Sequence, residues 1–130
     1  MSALAIARAR EQYLEQQIAS ATPQQLVTML FGRLLVDIDR AAAAQESEAW
    51  AVAGDHLTHA QSIVAELTSS LTDAWEGSAD LRAIYTYVNS RLIHANIRRD
   101  RAATIECREL VEPLRDAFAG AADLVTAQAG

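Results

Sequence analysis

The residues closest to carrying chemistry in this chain are Asp55, His56 and His59. Two imidazoles three positions apart fall on one side of a helix, where they could share a metal ion. The chain has neither the Glu-x-x-His pairs of di-iron bundles nor a His-Glu-x-x-His run, so the plainer reading is two solvated helix residues. Cys107 is the single cysteine and lies on an apolar stripe with no histidine placed locally to activate it, so it reads as a small buried hydrophobe. No glycine-rich phosphate loop, no Gly-x-Ser-x-Gly elbow and no paired-carboxylate spacing occurs. The residues therefore argue against an enzyme and call for no metal site and no cofactor.

The elements that would position any site are helices. Five glycines and two prolines in 130 residues disfavour sandwiches and loop-rich folds, and alanine is the commonest residue. At this length, with 51% hydrophobic residues, one domain can bury a core without disulfides or metal. The sharpest boundary lies at Thr22-Pro23-Gln24-Gln25. Thr22 can cap a helix, Pro23 suits its first position and Gln25 can reach back to complete a capping box. Leu26, Leu30, Leu34 and Ile38 then recur every four residues and predict a helix to about Ala44, with a loop over 45–48.

Trp50, Ala53, Leu57, Ala60, Val64, Leu67 and Leu71 form the narrow stripe of a second helix. After a turn over 72–77, Ser78 is the expected cap of a third, whose core stripe is Leu81, Ile84, Tyr85, Val88, Leu92 and Ala95. Asp100 is the expected cap of a fourth, carrying Cys107, Leu110, Val111, Leu114, Phe118, Ala121 and Val125, with Pro113 expected to kink it near Glu109. The fold class is all-α, and short connections favour an antiparallel up-down-up-down four-helix bundle over residues 21–130. Residues 1–20 read as an N-terminal arm or a capping helix, with Leu4, Ile6, Tyr13, Leu14 and Ile18 its sizeable apolar groups.

A net charge of −6, with arginine as the only strong base, makes nucleic acid a poor partner, because phosphate binding relies on Lys and Arg displacing counterions. The first ten residues lack a secretory h-region, a lone cysteine suits a reducing compartment, and no run reaches the length of a membrane span. The expected location is the cytoplasm, with no membrane insertion.

The more informative signal is apolar width. A bundle helix needs a stripe somewhat over 100° wide. The first bundle helix spreads apolar residues across roughly 180° on a wheel of about 100° per residue, and Met29 and Val36 lie beyond the near edge. In the third, Ile93 and Ile97 widen one flank and Tyr87 points nearly opposite Tyr85. Contiguous excess on two helices fits a groove for another chain, a homodimer face, or burial beneath the N-terminal arm. Asn89 and Asn96 project into the core sector, where a buried amide must find partners. They could fix bundle register or hold the backbone of a bound segment.

Two motifs carry a family resemblance. Ser20-Ala21-Thr22-Pro23-Gln24-Gln25-Leu26-Val27-Thr28-Met29-Leu30-Phe31 resembles the Ser-Ala-Ser-Pro-x-x-Leu-x-x-Met-Leu-Tyr/Phe signature of the flagellar secretion chaperone FliS family. The run from Ile84-Tyr85-Thr86-Tyr87 through Arg91-Leu92 and Ala95-Asn96 to Asp100 is similar to that family's Leu-Tyr-x-Tyr-x-x-x-Arg-Leu-x-x-Ala-Asn-x-x-x-Asp stretch. The likeness extends from about Tyr13 to Phe118. Gly32 replaces a commonly acidic residue, which removes a carboxylate, and Pro113 interrupts expected helix.

The resemblance implies an antiparallel helical bundle, not an enzyme. Such a chaperone binds the disordered C-terminal segment of flagellin, prevents premature polymerisation and presents the subunit to an export gate component. It also implies that the arm around Tyr13 covers part of the surface in the absence of client. Together with the apolar excess it nominates Tyr13, Met29, Leu30, Tyr87, Arg91, Ile93, Asn96 and Ile97 as client-facing, with Arg91 pairing a client carboxylate and Asn96 meeting exposed backbone. Leu30 and Asn96 lie closest to the core sector of the eight. The competing reading is a dimeric helical scaffold or adaptor without a flagellin client.

Overall fold

Thr22 sets the phase of the fold. In a computed structural model its Oγ1 accepts from the Gln25 amide at 3.1 Å, and Gln25 Oε1 accepts from the Thr22 amide at 2.9 Å. This reciprocal box satisfies two donors that a helix start otherwise leaves bare. The structure describes residues 2–20 and 22–129, and the side chains of 2–16 and 22–121. Ala21 of the first motif and the Ile18 and Val125 side chains lie outside the described residues. Among those described there are five helices and no strand: α1 (Ala3–Ser20), α2 (Pro23–Glu46), α3 (Trp50–Ser69), α4 (Ser78–Ile97) and α5 (Arg101–Ala129). None is long and apolar enough to cross a membrane.

Helices α2 and α4 each pack against both α3 and α5, which closes a ring of four. The start of α2 meets the end of α3 around Val27, Leu30 and Glu66. Trp50 and Ala53 at the start of α3 meet Ala95 and Asn96 at the end of α4. Inside the ring Phe31, Leu34 and Ile38 of α2 meet Leu57, Val64 and Leu67 of α3, Leu81, Tyr85, Val88 and Leu92 of α4, and Cys107 and Val111 of α5. Each such leucine or phenylalanine contributes about 1.5–3 kcal/mol by leaving water. Phe31 anchors one end, with its ring centroid 6.2 Å from Tyr85 and 5.2 Å from Phe118. Burial pushes the Tyr85 phenol up to about 12 and the Cys107 thiol also up to about 12, because neither anion can be solvated there.

Several expectations are corrected. Gln45 is not a loop residue: α2 continues to Glu46, and Gln45 is buried, donating through Nε2 to the Ala95 carbonyl at 3.2 Å and accepting from Thr104 Oγ1 at 2.7 Å. This buried amide ties α2, α4 and α5 together with its polar groups satisfied. Ser78 is not the cap of α4 but its first residue. Gly77 takes the cap position, and the Ser78 hydroxyl donates to the Thr72 carbonyl, closing the preceding turn. Helix α3 ends at Ser69, so Leu71 packs on the core from the loop.

Asp100 caps α5 as expected, accepting from the Ala103 amide at 3.3 Å. Pro113 does not end α5, which runs through it. The residue is exposed, so water can reach the carbonyl that its missing N–H leaves bare. Leu26 and Ala121, expected on core stripes, are exposed, and Trp50, Asn89 and Asn96 are only half-buried. Asn89 borders a hollow against Val64 and Thr68 of α3, and Trp50 and Asn96 border another, so these three stand at open seams and not in the sealed interior.

Candidate functional site

The capping box fixes where α2 begins, and burial of Phe31, Leu34 and Ile38 fixes which way it faces. Once Phe31, Leu34 and Ile38 face the ring interior, Leu26, Met29 and Val36 must lie outside it, and they are 37%, 37% and 39% exposed. Leu26, Met29 and half-buried Leu30 line a cleft of about 750 Å³ between the start of α2 and the end of α3, with Arg33 and Glu66 at its edge. Leu30 also packs against the core, as its mid-stripe position implies. The expected docking row on α2 is thus a surface row, with Leu30 as its floor.

Helix α4 has two flanks with different chemistry. On the α5 side the Tyr87 hydroxyl donates to Glu106 Oε2 at 2.8 Å and Arg91 Nε donates to Glu106 Oε1 at 2.7 Å. The Tyr87 and Arg91 bonds hold the Glu106 carboxyl below the usual range, and the same carboxylate raises the Tyr87 phenol. Arg91 therefore already meets a carboxylate of its own chain. Towards α3, among the described residues, no ion pair or side-chain hydrogen bond joins the two helices. Ile93 is 38% and Ile97 73% exposed there. Beside them lie two hollows of about 390 and 410 Å³, the first bordered by Val64, Thr68 and Asn89, the second by Trp50, Asn96 and Ile97.

The eight nominated residues are consequently not one patch. Met29 and Leu30 share the α2–α3 cleft, Ile93, Asn96 and Ile97 share the α3-side flank of α4, and Tyr87 and Arg91 sit on its other flank. Tyr13 is exposed on α1, along with Leu4, Ile6 and Leu14, and α1 is not among the helix pairs that pack closely. The two cleft systems border opposite sides of α3.

One member of the histidine pair, His59, has a structural partner that the sequence did not disclose. His59 Nδ1 meets Oδ2 of Asp37, a carboxylate buried in α2, while Arg33 Nη2 stands 3.1 Å from Oδ1. That Oδ1 makes no hydrogen bond, so the arginine compensates charge without ideal direction. No signal local to Asp37 could have shown this, since its partner lies 22 positions away. Among the described residues no group of three or more side chains is arranged to hold a metal. Arg108 pairs with Asp39 at 2.7 Å and with Glu112, and Arg101 Nε donates to the Ala42 carbonyl at 3.1 Å, fastening α5 to α2.

The chain has clear relatives. The family model for flagellar protein FliS matches residues 6–125. A flagellar secretion chaperone FliS of Bacillus subtilis is 35% identical over 106 residues, covering 82% of this chain and 80% of that one. The corresponding chaperone of Escherichia coli is 34% identical over 108 residues, 81% of this chain and 79% of its own. A crystal structure of a bacterial flagellar chaperone superposes with a TM-score of 0.73 over 90% of this chain and 97% of the other, at 14% identity. That last likeness concerns the fold alone.

Proposed function

This chain belongs to the flagellar protein FliS family, and on that footing we propose that it is a cytoplasmic export chaperone for flagellin, a binding protein rather than an enzyme. Its client is the disordered C-terminal segment of flagellin, which it keeps from polymerising and delivers to a component of the flagellar type III export gate. Residues 21–130 act as an antiparallel up-down-up-down bundle and residues 1–20 as the arm. The observation that carries the reading is the pair of uncovered apolar rows, Leu26 and Met29 on α2 and Ile93 and Ile97 on α4. A monomer has no stability reason to keep two such rows wet.

Client helices would lay their apolar faces into the α2–α3 cleft and along the α3–α4 flank, with Asn96 offering its amide to client backbone. Met29, Leu30, Ile93, Asn96 and Ile97 form the binding surface, Tyr87 and Arg91 its polar border, and Tyr13 belongs to an arm that shields part of it before the client arrives. Coupled folding spends part of the contact free energy on ordering the client, which keeps the complex reversible for hand-over.

Titration of the full chain with a flagellin C-terminal peptide tests this. Saturable heat with a gain in helical circular dichroism supports it. A concentration-dependent dimer that buries the same rows and ignores the peptide supports the scaffold reading instead.

A further inference from the structure

The hollow of about 410 Å³ where the start of α3 meets the end of α4 differs in kind from the apolar rows. Its walls are Trp50, Ala53, Leu57 and Ile97, and two polar side chains, Asn96 and Arg99, complete its rim over a floor that includes Gln45. Arg99 is its one charged lining residue, in a chain whose net charge is −6. The guanidinium lies over the Trp50 ring, 5.1 Å from the centroid, which holds the cation beside the indole that lines the hollow.

The backbone at Arg99 is unusual. Its φ is 52°, the left-handed region, immediately after the end of α4, where glycine is the low-strain choice. Glu48, one residue past the cap of α2, adopts the same region at φ 58°, so this conformation marks a helix stop, and Arg99 is set apart by what its side chain meets. Opposite, Asn96 sits close to α3 because residue 54 is glycine: a Cβ there would stand 3.2 Å from Asn96 Oδ1. Among the described residues the Asn96 side chain has no hydrogen-bond partner, which leaves its amide donors available. The neighbouring Asp100 carboxylate is taken by His94 Nε2 at 3.1 Å and the Ala103 amide, and Glu46 faces Arg101 at 3.5 Å.

A cation, an amide and an indole wall around one hollow match a residue that carries an apolar side chain and a free carboxylate together, which is the end of a polypeptide. We propose that this hollow receives the C-terminal carboxylate of the bound client, Arg99 and Asn96 holding the carboxylate and Trp50 and Ile97 packing on the last side chains. A chain lying along the Ile93–Ile97 flank arrives there at the end of the bundle. The client's end would thereby fix the register of the whole segment. The proposal rests on the flagellin-chaperone reading and adds a polar anchor to it.

Calorimetry with two forms of one flagellin C-terminal peptide, a free acid and a C-terminal amide, tests it on the full chain. The amide should bind about tenfold more weakly, the scale of one charge-assisted contact. Arg99→Gly, which suits the backbone and should leave helicity and Tm intact, should bind both forms alike. Arg98→Gln, an exposed neighbour outside the hollow, should keep the discrimination. Equal binding of both forms by the unsubstituted chain overturns the anchor while leaving the chaperone reading standing. A gap that survives Arg99→Gly, or one that Arg98→Gln removes equally, also overturns it. Binding of neither form overturns the anchor and the chaperone reading together.

Discussion

Helix α4 presents two flanks to its neighbours, and only one of them is finished. On the α5 side Glu106 receives both Tyr87 and Arg91, so the polar groups of that flank are answered within the chain. Along α3, Ile93 and Ile97 have no comparable cover, and a half-buried asparagine borders a hollow. Both flanks carry apolar and polar residues at helical spacing, so composition does not separate them. What separates them is whether the adjacent helix supplies a matching group. A surface left open where a matching side chain could have been placed is where a partner can gain most.

The largest effect should come from the core that both flanks stand on. Phe31→Ala removes a ring that contacts Tyr85 and Phe118 in a fully buried position, and should cost about 3–5 kcal/mol in urea unfolding, enough to threaten folding. A loss below about 1 kcal/mol would mean that the ring is not the anchor the packing describes.

The flanks themselves are distinguished by the next experiment. Ile93→Asp combined with Ile97→Asp should weaken flagellin-peptide binding by about a hundredfold and lower stability by about 1–2 kcal/mol, because Ile93 is 38% and Ile97 73% exposed and each aspartate meets the negative end of α4. Tyr87→Phe should leave binding near the original value. If the tyrosine change weakens binding as much as the isoleucine pair does, the two flanks are equivalent and the contrast drawn here is wrong.

Alkaline titration sharpens the contrast between the inside of α4 and its outer face. Tyr85 and Cys107 titrate at about 12 when folded, against 10.0 and 9.0 for free groups. The unfolded chain therefore releases these protons first, so stability is full below about pH 9 and declines as pH rises towards 12. Urea midpoints measured across pH 8–11 should show this decline, and Cys107→Ala should delay its onset. Replacement of Cys107 without any change in the profile would contradict the burial argument.

The smallest expected effect belongs to Glu106→Gln. The Glu106 carboxyl is held low, so its contribution is present above the usual carboxylate range and fades as pH falls through its lowered pKa. The variant should flatten that acid limb slightly. In a phenolate absorbance titration it should bring the Tyr87 transition down towards the ordinary tyrosine range while leaving Tyr85 near 12, since Tyr87 is raised chiefly by the carboxylate and Tyr85 by burial. Both transitions moving together would mean a shared cause.

Much of this was legible before any coordinates. Thr22, Pro23 and Gln25 give the start of α2 because a capping box is satisfied within four residues, and Asp100 marks the start of α5 for the same local reason. Residues recurring every three or four positions identify the inward stripes, because a helix has only one way to bring them together. The exposed outliers Met29, Tyr87, Ile93 and Ile97 could be read from the same wheel. The roles of Ser78 and Gln45 are not legible locally because the groups that decide them lie elsewhere: the Thr72 carbonyl for the first, the Ala95 carbonyl and Thr104 for the second.

By itself, then, the sequence determined the helices, their inward faces and the existence of surplus apolar surface, all of which follow from capping and periodicity within one segment. Only the tertiary structure decided which surplus was answered. Arg91 and Ile93 are two residues apart on one helix, and nothing in that spacing reveals that Glu106 reaches the first while the second stays 38% exposed. Electrostatic pairing and cover are properties of groups brought together across the bundle, so they exist only once the helices are packed.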